Sequence, residues 1–326
     1  MATRKITIEE AVTTDEFEHF DEAFLPSIKP QYGDFLRSRL HVKHITRRLE
    51  DMDKEGIDVQ VLSLTAPGIQ SMDDPVAASA SAQRVNDSLA EIVRAHPTRF
   101  KAMAALAWID PEAAAVELER AVTELGAVGV MLNGHTRGVY TDDPRLRPVW
   151  ERAAALDVPV YLHPVQIAGT WANAEGYPEL TQAAWGWAFE TGTHFWRLVL
   201  SGLFDQYQNL TVVLGHMGEF VPFGLWRFDD RYEWIARSRN LAHEPSWYAR
   251  HNMMATTSGV CSDEALHGAQ AAIGTDRILF AVDYPYQFQQ QAVDWIEAAP
   301  ITQPEREAIC HGNAERIFRL TEASRT

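Results

Sequence analysis

Four stretches of this chain place an imidazole or carboxylate directly after a short apolar run. Ile6-Thr7-Ile8 leads into Glu9-Glu10, and Val160-Tyr161-Leu162 into His163-Pro164. Leu214-Gly215 leads into His216-Met217-Gly218-Glu219, and Val282 into Asp283-Tyr284-Pro285. A further run ends at Asn133, with His135 just beyond it. Glu9, His163, His216 and Asp283 together make a donor set suited to a hard or borderline divalent cation. Singly, each has an ordinary reading: Asp283 could cap a helix, Glu9 could be a surface side chain, and each His could be a hydrogen-bonded structural residue. The joint pattern is stronger, because carboxylates gathered near a buried rim without a metal or partner would be costly.

The other polar residues weigh less. His194 and Arg197 lie one turn apart on an expected helix, which favours a surface pair; Arg47 and Arg48 read as helix decoration. If residues 220–231 are helical, Glu219, Phe223 and Arg227 share one stripe beginning beside His216. Arg227 could then face a pocket or simply sit on the surface. Ser63 and Ser258 lack the strand-to-helix elbow of a serine nucleophile.

Those residues need elements to bring them together. The expected strands are residues 6–12, 59–65, 100–105, 128–133, 158–163, 210–216, 252–258 and 278–283. Amphipathic stretches separate most of them: residues 76–96, started by Asp74-Pro75 and stopped by Pro97, then 111–125, 146–156 and 195–203. Strands alternating with helices imply βαβ units and a parallel sheet. Runs such as Leu210-Thr-Val-Val-Leu214 are apolar throughout, as strands buried on both faces are. Eight such units predict a (β/α)₈ barrel, whose C-terminal strand ends form one rim where chemistry gathers. An open doubly wound sheet is the structural alternative, without a Gly-rich dinucleotide fingerprint to support it. No stretch reads as an interdomain linker, so residues 1–326 are expected to form a single barrel domain. Residues 15–43 read as an inserted loop-helix segment over the barrel mouth, and residues 165–187, which carry Trp171, Trp185 and Trp187, as a long loop.

Composition removes several classes. Against 45 acidic residues stand 29 Lys and Arg, a formal net charge of −16. That balance argues against a nucleic-acid backbone or a polybasic membrane contact. A hydrophobic share of 46% permits a large core and excludes general disorder. No apolar run approaches the roughly 20 residues needed to cross a bilayer. Two cysteines, Cys261 and Cys310, cannot build a disulfide framework or a thiolate cage. These features predict a reduced, cytoplasmic protein.

Val160-Tyr-Leu-His163-Pro, Leu214-Gly-His216-Met-Gly-Glu219 and Phe280-Ala-Val-Asp283-Tyr-Pro285-Tyr resemble the amidohydrolase superfamily. More narrowly, they resemble its aromatic acid decarboxylase branch: the 5-carboxyvanillate, γ-resorcylate and 2,3-dihydroxybenzoate decarboxylases. Thr7-Ile-Glu9-Glu10-Ala11, Leu64-Thr-Ala-Pro67-Gly68 and Arg277-Ile-Leu-Phe280 fit the same branch, so the resemblance spans essentially the whole chain. The short stretch Asn133-Gly-His135-Thr-Arg-Gly138, with Tyr140, looks closest to the carboxyvanillate type.

The resemblance implies a distorted (β/α)₈ TIM barrel with inserted loops over the C-terminal rim and one divalent metal. It implies Glu9, His163 and Asp283 as metal ligands, with His216 close to metal and substrate and Glu219 tuning its protonation. Many amidohydrolases carry His-x-His on the first strand and some decarboxylases Glu-x-His. Here Ala11 stands where the imidazole would be, which fits a mononuclear site open to a chelating substrate. Mn²⁺, Zn²⁺ and Mg²⁺ are all compatible. The implied reaction is non-oxidative decarboxylation of a small ortho-hydroxylated aromatic acid to the phenol and CO₂. In it Asp283 would protonate the ring carbon, while His216 with Glu219 would hold or deprotonate a phenolic oxygen. Arg227 would pair with the substrate carboxylate, Asn133 would bond a ring substituent, and Phe24 would wall the pocket. A homodimer or homotetramer is expected of such barrels. Two alternatives stay open: a metal-dependent lactone, ester or amide hydrolase, and an idle barrel that only binds a ligand or partner.

Overall fold

The computed structural model of the protein describes residues 3–18, 29–235 and 239–320. The apolar runs become eight strands: β1 Ile6–Val12, β2 Val59–Leu64, β3 Phe100–Ala105, β4 Gly129–Asn133, β5 Val160–His163, β6 Val212–Leu214, β7 Met253–Thr256 and β8 Ile278–Leu279. They lie side by side in chain order, every ladder parallel. Parallel neighbours need crossovers. Those contain α1 Pro30–Arg37, α2 Ile45–Glu55, α3 Pro75–Ala95, α4 Pro111–Thr123, α5 Arg147–Leu156, α6 Gly186–Leu200, α7 Leu203–Gln206, α8 Leu225–Ile235, α9 Pro245–Asn252 and α10 Asp263–Ile273, while α11 Gln289–Ala298, α12 Gln303–Glu307 and α13 Asn313–Ile317 follow β8. This is the (β/α)₈ barrel that the alternation predicts.

Local chemistry sets the helix boundaries. Asp74 and Asp110 each accept a backbone N–H three residues on, from Ala77 and Ala113, ahead of a proline in the first turn. Gly56 ends α2 in the left-handed conformation (φ +67°), which its missing side chain permits.

Period-two alternation divides each strand between two cores. Ile6, Ile8, Val61, Met103, Met131, Tyr161, Val213, Met254 and Leu279 pack together in the barrel interior. Leu62, Leu132, Leu214 and Ala255 face the helices. Burial on both faces gives the strands their uninterrupted apolar look.

The ring closes without a ladder between β8 and β1. An isolated bridge joins Glu10 and Tyr284, with Ala11 N donating to Tyr284 O at 2.8 Å. β8 stops after two residues because Phe280 N turns to Ile309 O (2.9 Å) in the π-helical turn Ala308–Gly312.

Several expectations need correcting. The strands expected at 210–216, 252–258 and 278–283 are shorter, since their final residues leave the ladder to form the rim. The helix expected at 195–203 begins at Gly186, inside the stretch taken as loop, and breaks at Gly202 (φ +72°). Neither Arg48 nor His194 is at the surface; both are buried. His194 Nε2 accepts from Thr141 N at 3.0 Å, and Arg197 pairs with Asp142 instead. Among the described residues, no helix is long and apolar enough to cross a membrane.

Candidate active site

Glu9 reaches the barrel mouth through an irregularity. Thr7 pairs with Gln60, but Glu10 pairs with Leu62, so β1 carries one residue more than β2 between those points. Such a bulge re-aims side chains. Ile8 and Glu9 both meet the interior, where Tyr161 lies, and Glu10 turns outward to Gln60. Without the bulge, simple alternation would have sent Glu9 out and Glu10 in.

Three strand ends converge. Single donor atoms of Glu9, His163 and Asp283 lie within 4.8 Å of one another. His163 Nε2 is 3.4 Å from Glu9 Oε1, and His216 Nε2 is 3.8 Å from Glu9 Oε1 and 3.9 Å from Asp283 Oδ2. Glu9 is 2% exposed, yet its Oε1 has no hydrogen-bond partner. A bare buried carboxylate oxygen is expensive unless something cationic meets it. Its other oxygen, Oε2, accepts from Tyr161 OH and from Thr256 Oγ1 (3.4 Å). One oxygen is thus clamped while the other stays open.

The imidazoles are oriented by their second nitrogens. His163 Nδ1 donates to Pro164 O at 2.8 Å. A carbonyl can only accept, so Nε2 of a neutral ring keeps its lone pair toward Glu9, the tautomer a metal needs. His216 Nδ1 bonds Glu219 Oε1 at 2.7 Å, and the His216 backbone N–H donates to Ser258 Oγ at 3.1 Å. The donors fit one divalent cation: two carboxylates, one of them with an orphaned oxygen, and one imidazole, with His216 alongside.

The backbone around His216 is unusual. His216, Met217, Gly218, Glu219 and Phe220 all have positive φ, between +47° and +81°. One turn of left-handed backbone puts residues i and i+3 on one side, bringing Glu219 under His216. Non-glycine residues pay for this conformation, and tertiary contacts hold it: Met217 N donates to Thr256 O (2.7 Å) and Gly218 N to Gly215 O (2.7 Å). Gly192 of α6 permits close approach, since a Cβ there would lie 2.8 Å from Glu219 O.

Electrostatics follow from burial and proximity. Burial pushes the Asp283 carboxyl up to about 6, although the neighbouring His216 pulls the other way. Burial opposes charge on Glu9 too, but His216 and His163 outweigh it and hold its pKa below the usual value. For His216, burial is overcome by Glu219 and Glu9, which raise its pKa well above the ordinary one.

The remaining predicted residues fare differently. Asn133 sits opposite His163 in the β4–β5 register, buried, with Oδ1 unpartnered. Arg227 is not brought in: its side chain is 69% exposed and lies 3.9 Å from Asp230. The stripe with Glu219 does not form, because Glu219 belongs to the left-handed turn and a 3₁₀ turn, Val221–Gly224, precedes α8. Phe24 lies outside the described residues. Sequence reasoning missed Tyr161, Thr256 and Ser258 as the floor under Glu9 and His216. The available signal was period two, which puts Tyr161 on the same face as His163.

A (β/α)₈ barrel that gathers two imidazoles and two carboxylates at its C-terminal rim defines the class: a barrel enzyme whose rim could hold a divalent ion. The Amidohydrolase family model matches residues 38–320, and the chain belongs to that family. It is 40% identical over 325 residues to a gamma-resorcylate decarboxylase of Polaromonas sp. (strain JS666), covering 97% of this chain and 98% of the relative. The crystal structure of a 2,6-dihydroxybenzoate decarboxylase complexed with 2,6-dihydroxybenzoate superposes with a TM-score of 0.92 at 38% identity, covering 98% of this chain and 100% of that one. The dihydroxybenzoic acid decarboxylase of Polaromonas sp. JS666, with bound manganese and the inhibitor 2-nitroresorcinol, gives 0.91 at 40% identity, covering 98% and 97%. Structures of 5-carboxyvanillate decarboxylases share the fold as well.

Proposed function

We propose that this chain is a metal-dependent, non-oxidative decarboxylase of ortho-hydroxylated benzoic acids, with a 2,6-dihydroxybenzoate as substrate and Mn²⁺ as the preferred ion. Full-length similarity to decarboxylases supports the reaction. The observation that carries the site assignment is the bare Glu9 Oε1 facing His163 and His216, with the half-buried Asp283 carboxyl beside them.

Glu9, His163 and Asp283 would hold the ion, with His216 at its edge. When bound, a divalent ion supplies a template and charge stabilisation for the substrate's carboxylate and adjacent phenolic oxygen. The protein's groups do the proton work. Loss of CO₂ from an arene leaves a carbanion unless the ring carbon is protonated first. Asp283, whose proton affinity is raised by burial, delivers that proton to the carbon bearing the carboxylate. The ring–carboxylate bond then breaks, its electrons return to the ring, and CO₂ leaves. His216, held by Glu219 and kept cationic by it and by Glu9, donates a hydrogen bond that keeps a phenolic oxygen in place. Asn133 Oδ1 is free to accept from a ring hydroxyl. Arg227 of the same chain is given no part.

The test is incubation of the Mn²⁺-loaded protein with 2,6-dihydroxybenzoate, other ortho-hydroxybenzoates, and aryl esters and lactones. The expected result is CO₂ with the matching phenol. Water-consuming cleavage of an ester or lactone, with no CO₂ from any acid, would overturn the reading.

A further inference from the structure

The two carboxylates of the cluster lie on β1 and just past β8, the one pair of neighbouring strands that no ladder joins. Everywhere else, backbone hydrogen bonds fix strand separation. At this seam a single bridge, with Ala11 N donating to Tyr284 O at 2.8 Å, is supplemented by side chains. Glu10 Oε1 accepts from Val282 N at 3.2 Å, so a residue next to Glu9 holds the backbone next to Asp283. Glu10 Oε2 accepts from Gln60 Nε2 at 3.0 Å, and Gln60 Oε1 accepts from Arg48 Nη1 at 3.1 Å. Arg48 also donates to Ala11 O on β1, and its guanidinium lies 4.5 Å from the ring centre of Tyr284. All four side chains are at most 1% exposed. Buried ionisable groups so far from water are retained against a large desolvation cost, and an apolar layer would serve stability as well.

We propose that Glu10, Gln60 and Arg48 form a brace across the β8–β1 seam that sets the separation of the Glu9 and Asp283 carboxylates and thereby the affinity of the site for its ion. They are positioning residues: none needs to touch ion or substrate. The inference rests on the metal reading above. Each link is directional. Glu10 must accept from both a backbone N–H and an amide, Gln60 must donate to one side and accept from the other, and the Arg48 fork must satisfy Gln60 and Ala11 O together.

The test is the Mn²⁺ dissociation constant of the full chain, measured by calorimetry without substrate, with circular dichroism and thermal unfolding of the metal-free protein alongside. Glu10→Gln keeps shape but sets amide against amide at Gln60; it should weaken Mn²⁺ binding about ten- to hundredfold, the range for groups that orient ligands. Adding Gln60→Glu restores a donor–acceptor pair and puts the carboxylate directly on Arg48, so the double exchange should recover most of the affinity. Glu117→Gln serves as a control. Glu117 is also buried and accepts from Asn86 Nδ2 at 2.7 Å, between α3 and α4. It should lower stability and leave the Mn²⁺ constant within about twofold.

Unchanged affinity in a folded Glu10→Gln protein, no recovery in the double exchange, or an equal loss in the Glu117 control would overturn the brace. Should Glu10→Gln fail to fold, Arg48→Lys, which keeps the charge but gives up the fork, is read by the same constants. If the unchanged protein binds no Mn²⁺, the metal reading falls and takes the brace with it. Tight binding indifferent to these variants sinks the brace alone.

Discussion

Asp283 carries two demands at once. It lies within ligating distance of Glu9 and His163, and burial keeps its proton affinity high enough for an acid. Its backbone sits at φ +73°, a conformation that non-glycine residues adopt at a cost and that clusters at functional sites. Asp283→Asn keeps shape and removes the transferable proton. Turnover should fall by about 10²–10⁴, the range for a lost general acid, while far-UV circular dichroism stays unchanged. Near-normal turnover would take Asp283 out of proton delivery.

Among the elements, the left-handed turn and α6 are fitted to each other. Five consecutive positive-φ residues are held by Thr256 O, Gly215 O and Ser258 Oγ, and α6 lies against them at Gly192. Two effects oppose each other there. Gly→Ala inside a helix ordinarily stabilises by about 1 kcal/mol. Here the new Cβ would meet the Glu219 carbonyl at 2.8 Å, and overpacking against backbone costs about 1–3 kcal/mol. The clash should win, because neither partner is a flexible side-chain tip. Gly192→Ala should therefore lower the unfolding temperature rather than raise it. Displacing Glu219 from His216 Nδ1 should also cut kcat more than it raises KM. Thermal melts and steady-state kinetics on one preparation read both effects, and a raised melting temperature with unchanged kcat would contradict the fit.

For the molecule as a whole, the barrel was legible because strands buried on both faces leave an apolar signature that needs no partner information. What stayed hidden depended on contacts far apart in sequence. The choice between Glu9 and Glu10 turns on a bulge that appears only when β1 is laid beside β2. Arg48 reads as a surface cation until Ala11 and Gln60 meet it. His194 reads likewise until Thr141 does. Strand ends were overrun because the rim residues continue the apolar pattern while their backbone has already turned away. The cluster these elements assemble should feed back on global stability. A site that holds its ion only when folded adds RT ln(1 + [L]/Kd), about 2.7 kcal/mol at a hundredfold excess over Kd. In a chain this long, 1 kcal/mol moves the midpoint by roughly 2 °C, so saturating Mn²⁺ should raise it by about 5 °C and chelation should reverse the change. Glu9→Gln removes the charge that faces both imidazoles and should abolish most of that shift without greatly lowering the metal-free midpoint. A full Mn²⁺ shift in that variant would mean that the ion stabilises the protein from somewhere other than the strand ends of β1, β5 and β8.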